Sequence, residues 1–167
     1  MKKQYDMHCN IAQTLNLIGD RWTLLILHAV REGRRTYKDL QEGLEGIQTN
    51  LLSSRLKSLC EDELLSCSLY QEHPPRYQYE LTDKSRDLDD IYNAMMIWGD
   101  RHLHKSYKCL KHKDCGGAVD IQYVCRECGK VIEKRRDIFE ADKIYYCHTY
   151  VYFCDVKDEH VAAQMTD

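Results

Sequence analysis

Apolar positions in the first third of the chain repeat with helical spacing. Ile11, Leu15 and Ile18 form one run, and Trp22, Leu25, Ile26, Ala29 and Val30 form a second. Gly19-Asp20 interrupts them, with Asp20 suited to cap the second helix and Gly33 to stop it. Thr36, followed three residues later by Asp39, reads as a variant capping box opening a short helix. Leu40 and Leu44 lie on its inner side, and Gly43 and Gly46 bracket its end. Over residues 49–61, Leu52, Leu56 and Leu59 share one side of a helix. At about 100° per residue, Asn50, Ser53, Ser54 and Lys57 fall nearly half a turn away. That outward face is short, polar and uncharged except for Lys57, which suits hydrogen bonding to base edges. An ordinary solvated helix shows the same pattern, so this segment alone leaves both readings open.

The period then changes to two. Leu65 to Tyr70 and Tyr77 to Leu81 read as strands joined by Gln-Glu-His73-Pro74-Pro75-Arg76, with Tyr77, Tyr79 and Leu81 alternating with polar residues. Both prolines of the chain stiffen this tip, and Arg76 points outward from it. Helix, turn, helix and a hairpin with a basic tip make a winged helix-turn-helix, whose second helix enters the major groove while the wing reaches the backbone or minor groove. Thr82 is placed to cap a helix running to about His104. Its apolar stripe (Leu88, Ile91, Tyr92, Met95, Trp98, His102) is longer than the core of so small a domain requires. The stripe predicts a homodimer interface shared with the first helix, with plain intramolecular packing as the alternative. A two-fold dimer sets its reading helices roughly 34 Å apart and calls for a pseudo-palindromic site on double-stranded DNA.

Composition narrows the picture. The 167 residues are 43% hydrophobic and 31% charged with only 2 Pro and 8 Gly, which excludes disordered and collagen-like chains. No apolar run approaches the roughly 18 residues of a membrane span, and the first residues lack the apolar core of a signal peptide. A soluble cytoplasmic protein with no membrane partner is the expectation. Against 24 Lys+Arg stand 27 Asp+Glu, so any DNA contact has to come from one face rather than from a global basic field.

The first part resembles the HxlR-type winged helix-turn-helix regulators of bacteria and archaea, within the MarR-like superfamily. The resemblance covers about residues 9–104. It rests on Cys9 ahead of Leu-Ile-Gly-Asp-Arg-Trp22-Thr-Leu-Leu-Ile-Leu, on Leu52-Ser-Ser-Arg55-Leu56-Lys-Ser-Leu59, and above all on Pro74-Pro75-Arg76-Tyr77-Gln-Tyr79-Glu-Leu81-Thr82. The resemblance implies a homodimer bound to operator DNA, usually as a repressor and in some members as an activator. Three positions depart from the family pattern: Asn10 replaces a Pro, Glu63 a Gly, and Gln48 a Ser or Thr. Because Glu tolerates positive φ poorly, a different helix-to-wing turn is expected at Glu63, and Thr49 rather than Gln48 is expected to cap the recognition helix.

Cysteine is the outlying count, at 9. In a reducing compartment, metal ligation and redox chemistry explain such a number better than disulfides do. Cys9 occupies the position of a redox or electrophile sensor in several relatives, and a helix N-terminus stabilises a thiolate, so an oxidant or small electrophile is the effector to consider. Packing of Cys9 beneath the dimer interface is the alternative. Cys60 and Cys67 are expected in the core. Beyond residue 106 the pattern changes to His112-Lys-Asp-Cys115-Gly-Gly, nine residues, then Cys125-Arg-Glu-Cys128-Gly. Two-residue gaps let each pair reach one ion from a tight turn. One His and three Cys make a closed tetrahedral set for a structural Zn2+, with Cys109 able to substitute for His112. Cys147 and Cys154 lie in an aromatic, β-prone stretch (144–154) expected to pack as a strand, and Lys134-Arg135-Arg136 is a basic run compatible with phosphate contact or a solvated edge.

The expected fold is α+β, with a winged helix and its long dimerisation helix at 1–106 and a small β-rich zinc ribbon at 107–167. The expected function is a dimeric, sequence-specific DNA-binding transcriptional regulator, a repressor, responsive to thiol chemistry through Cys9. Gln48, Thr49, Asn50, Ser53, Ser54 and Lys57 would face bases, and Arg55 and Arg76 would contact phosphate or the minor groove. A zinc-ribbon adaptor that binds protein, with the winged helix as docking module, is the alternative. An enzyme is not expected: no Ser-His-Asp order, phosphate-binding glycine loop or His-Glu-x-x-His motif occurs, and the metal set leaves no open position.

Overall fold

In a computed structural model that describes residues 4–132, the helical periodicities resolve into α1 (Asn10–Ile18), α2 (Thr23–Arg31), α3 (Tyr37–Gly43) and α4 (Thr49–Glu61). The hairpin is β1 (Leu65–Gln71) and β2 (Arg76–Leu81), followed by α5 (Asp83–Arg86) and α6 (Asp89–His102). A second antiparallel pair, β3 (Tyr123–Val124) and β4 (Val131–Ile132), lies further on. The chain divides into two units, Met1–His104 and Lys105–Asp167. Lys134-Arg135-Arg136 and the stretch holding Cys147 and Cys154 lie outside the described residues.

The core of the first unit is aliphatic. Ile26, Leu27, Leu40, Leu52, Leu56, Leu59, Leu64 and Leu65 are each 2% exposed or less, and they come from α2, α3, α4 and the start of the wing. The capping box forms in full: Thr36 Oγ1 accepts the Asp39 N–H while Asp39 accepts the Thr36 N–H. Gln48, not Thr49, occupies the N-cap of α4, and its side chain makes no capping bond. Leu52 N–H donates to the Gln48 carbonyl, so the helix starts at Thr49 without help from a hydroxyl.

Glu63 departs from expectation in the opposite way. The turn is kept, with Glu63 at φ 58°, a left-handed conformation rare for any side chain except glycine. Leu64 N–H donates to Leu59 O and Glu63 N–H to Cys60 O, the paired bonds of a Schellman motif, with Leu59 and Leu64 both buried beneath it. The same motif closes α2, where Gly33 at φ 95° takes the left-handed position. At Glu63, tertiary contacts hold what glycine would adopt freely. Thr82 Oγ1 donates to Glu63 O at 2.7 Å, and Lys84 Nζ donates to Asp62 O at 2.8 Å.

The helix expected from Thr82 to His104 is two helices. Thr82 caps α5 as anticipated, accepting the Ser85 N–H, but the backbone turns at Asp87-Leu88 before α6 begins. Asp89 and Asp90 occupy the first turn of α6, where carboxylates favour a new helix N-terminus. The start of α6 is tied to α2: Tyr92 OH donates to Leu24 O at 3.0 Å, and Arg31 pairs with Asp89 at 2.8 Å. Leu88, Ile91 and Tyr92 accordingly pack on the core, whereas Met95 and Trp98 further along the stripe are 54% and 60% exposed.

Replacing Glu63 with Gly should raise the stability of the chain by ~1 kcal/mol, the penalty of a left-handed side-chain-bearing residue, and Glu63→Val should lower it. Urea unfolding followed by circular dichroism measures both. A loss of stability in Glu63→Gly would mean that the carboxylate contributes more than its backbone strain removes.

Candidate nucleic-acid interface

The exposed face of α4 is built on its buried one. Leu52, Leu56 and Leu59 anchor the helix, and Gln48, Thr49, Asn50, Ser53, Ser54 and Lys57 are exposed. The hydroxyl of Ser53 is engaged at home: it donates to Thr49 O at 3.0 Å and lies 3.4 Å from Tyr37 Oη, which itself donates to Thr49 O. Ser53 and Tyr37 thus brace the first turn of α4 against α3 and leave Ser53 chiefly its acceptor capacity. Asn50 Oδ1 accepts the Leu51 N–H, and Lys57 Nζ lies 3.7 Å from Glu61 on the exposed side.

Arg55, expected at phosphate or the minor groove, lies apart from that face. Instead of standing with the outward residues, it is half-buried, with Nε 3.4 Å from Asp20 Oδ1 in an ion pair whose angle makes no hydrogen bond. Asp20 Oδ1 also accepts the Trp22 and Thr23 N–H groups, and Oδ2 accepts the Thr23 hydroxyl. Asp20 therefore bonds the N–H groups at the start of α2 from two residues ahead of the N-cap, which is Trp22 rather than Asp20 as expected. Its link to Arg55 was invisible in the sequence because the partners are 35 residues apart.

The wing pairs in register from Leu65↔Leu81 through Cys67↔Tyr79 to Leu69↔Tyr77, shifts between Leu69 and Gln71, and ends with Arg76 opposite Gln71. Arg76 is exposed at the edge of the 72–75 turn. Tyr79 and Leu81 pack on the core, but Tyr77 and Leu69 at the outer end are nearly half exposed, so the alternation holds only at the base. A feature missing from the sequence reading is a third backbone contact. Thr36 bridges Gln78, Tyr79 N–H donates to Arg35 O at 2.8 Å, and Arg35 pairs with Glu80 at 2.9 Å, joining the start of α3 to the wing.

The thiols sort by environment. Cys60 packs against the core as expected, and burial, then the neighbouring Cys67, pushes its thiol up to about 11. Cys67 is exposed, contrary to the core expectation. Cys9 is the half-buried N-cap residue of α1, and its thiol makes no capping hydrogen bond. On the same helix Ile11 and Leu15 are exposed, and Ala12 and Ile18 are the buried positions.

In the second unit the anticipated ligands come in two pairs. His112 Nδ1 lies 3.2 Å from Cys115 Sγ, and the Cys125 sulfur accepts the Cys128 and Glu127 N–H groups, which hold its thiol below the ordinary range. Cys109 is exposed and outside both turns. Among the described residues, no group of three or more His, Cys, Asp or Glu is close enough to hold a metal ion, so the four-residue set is not drawn together. Between the two pairs only Tyr123–Val124 forms a strand, with an isolated bridge at Ala118. Among the described residues no helix is long and apolar enough to cross a membrane.

Residues 17–107 match the family model described as HxlR-like helix-turn-helix. An HTH-type transcriptional regulator of Mycobacterium tuberculosis is 37% identical over 129 residues, covering 75% of this chain and 81% of its own. The crystal structure of PA1607, described as a transcription factor, superposes with a TM-score of 0.64 at 28% identity, covering 82% of this chain and 97% of that one. The redox regulator HypR in its oxidised form superposes with a TM-score of 0.51 at 26% identity, over 58% of this chain and 100% of that one.

Because a thiol with a pKa of about 11 is ionised to only roughly one part in ten thousand at neutral pH, iodoacetamide should label Cys67 well before Cys60. Peptide mass mapping of a timed alkylation reads the order. Equal labelling would show that Cys60 is not shielded by the end of α4.

Proposed function

The chain belongs to the HxlR-like helix-turn-helix family of transcriptional regulators, and on that premise we propose that it acts as a homodimer that binds a pseudo-palindromic operator and represses transcription from it. The observation that carries the reading is the polar face of α4, exposed at Gln48, Thr49, Asn50, Ser54 and Lys57 above three buried leucines, with Arg76 exposed on the adjoining wing. Short uncharged side chains on an exposed helix N-terminus suit base-edge hydrogen bonds, and Arg76 suits phosphate. Ser53 would contribute as an acceptor. Arg55, held at Asp20, would position α4 rather than touch DNA.

Dimerisation would use the apolar surface that the core leaves uncovered: Ile11 and Leu15 on α1, and Met95 and Trp98 on α6. Cys9 precedes the first of these, so oxidation or alkylation of its thiol would alter the dimer and with it the spacing of the two α4 helices. An oxidant or small electrophile is then the effector class, in keeping with a redox regulator among the similar structures. The adaptor reading has nothing comparable behind it, since the relatives are transcriptional regulators, which are not enzymes either.

Selection of genomic fragments by the purified chain at fixed salt, with reduced and mildly oxidised protein in parallel, tests the proposal. A palindromic site should be enriched by reduced protein and lost on oxidation, and Cys9→Ser should retain it under oxidant. Enrichment indifferent to oxidation would remove Cys9 as the trigger, and no enrichment in either arm would overturn the regulator.

Substitutions separate the roles. Arg76→Ala should weaken binding to all sequences and flatten the salt dependence by about one unit, whereas Asn50→Ala should change sequence preference. Arg55→Ala should lower the melting temperature of the free protein while leaving the salt slope unchanged. A reduced salt slope in Arg55→Ala would return that residue to the DNA contact.

A further inference from the structure

The second unit contains the same turn twice. Moving 13 residues along the chain carries His112 onto Cys125, Cys115 onto Cys128, and Gly116 onto Gly129. The backbone repeats with the sequence. His112 N–H donates to Gly117 O and Cys125 N–H to Lys130 O, while Gly116 N–H donates to His112 O and Gly129 N–H to Cys125 O. The strands entering and leaving each turn pair at equivalent places, Lys111↔Ala118 and Val124↔Val131. Gly116 and Gly129 have φ of 69° and 68°. Two turns that agree in every one of these bonds are not unrelated surface loops.

Each turn is shaped to offer two ligands from one side. In the second, the Glu127 and Cys128 N–H groups point at the Cys125 sulfur, and left-handed Gly129 lets the chain fold back beneath it. In the first, His112 Nδ1 and Cys115 Sγ are already neighbours, and His112 Nε2 lies 3.7 Å from Asp114 Oδ2. A ligating imidazole is oriented in this way, one nitrogen toward the ion and the other toward a carboxylate.

Not one residue between 105 and 131 is buried, and only Leu110, Ile121 and Cys125 reach partial burial. All the cysteines described there are free thiols. Among the described residues no core orders this segment, and a metal staple can do so. Among the described residues the only repeated, paired groups available for one are those at the two turns.

We infer that His112, Cys115, Cys125 and Cys128 bind one structural zinc ion, with His112 ligating through Nδ1 and Asp114 orienting its ring. The two pairs close into a tetrahedral set as the ion binds, because nothing draws thiolates and an imidazole together without it. Binding releases three thiol protons to solvent and leaves the site with one net negative charge, four closed ligands and no position for a reacting water. The role is structural. Cys109, outside the repeat, takes no part.

Cobalt titration of the full reduced chain under anaerobic conditions tests this without DNA, so its outcome is independent of the operator proposal. One equivalent should bind with the intense visible spectrum of a tetrahedral cobalt–thiolate centre, and zinc should displace it. Cys125→Ser and Cys128→Ser should each abolish that spectrum, and Cys109→Ser should leave it unchanged. His112→Cys should keep the stoichiometry and shift the bands toward those of an all-sulfur site, a readout that survives if His112→Ala fails to fold. Asp114→Asn should weaken binding by about tenfold. No binding to the reduced chain, or a spectrum lost in Cys109→Ser and kept in His112→Ala, would overturn the assignment.

Discussion

The carboxylate of Asp20 is the point on which the first unit turns. It accepts the Trp22 and Thr23 N–H groups and the Thr23 hydroxyl, and it faces Arg55 from α4. One side chain thus ends the α1–α2 loop, satisfies donors that the first turn of α2 would otherwise leave orphaned, and holds the helix that carries the exposed polar face. Both partners are largely withdrawn from water, with side-chain exposures of 15% and 20%, so neither can lose the other cheaply. A surface pair would exert no such control. Arginine is suited to the position because its long side chain and planar head reach the carboxylate from α4.

From that fixed helix the wing is positioned by backbone rather than by side-chain charge. The left-handed turn at Glu63 passes α4 directly into β1, and Thr82 and Lys84 return from the far side of the hairpin to bond the carbonyls of that same turn. Arg35 and Thr36 join the outer strand to the start of α3, whose Tyr37 reaches back to the first turn of α4. The α3, α4 and wing segments therefore form a closed circuit of contacts. Rigid presentation matters for reading a groove, since a base contact requires its donor to be placed before the DNA arrives.

Local rules located most of this unit in the sequence. The 49–61 helix, the Thr36-Asp39 box, the Thr82 cap and the hairpin follow from periodicity and capping chemistry, which act over a few residues. What escaped depends on distance. Arg55 lies between the two faces of α4 and reads as a surface charge until Asp20 is brought beside it. Glu63 breaks a local preference because contacts from Thr82 and Lys84 outweigh strain on the order of 1–2 kcal/mol. The break at Asp87-Leu88 hides within an uninterrupted apolar stripe, and only the following aspartates mark it. Cys60 and Cys67 have the same apolar phase, yet one faces the core and the other solvent. Pattern gives a side, and packing decides how far that side is covered.

Among the described residues, the two units are ordered by different physics. In the first, the aliphatic core supplies stability and leaves uncovered the polar face of α4 and apolar residues of α1 and α6, the surfaces proposed above for DNA and a second copy. In the second there is no core among the described residues, so the groups that matter are the ones that shape the chain itself. A hydrogen bond in a turn that small fixes both the backbone and the direction of the side chains it carries, so the 13-residue repeat shows in its N–H and carbonyl partners. Burial points to the partner-facing surfaces proposed for the first unit by what it leaves out; among the described residues of the second, none of which is buried, the repetition of a backbone geometry takes its place.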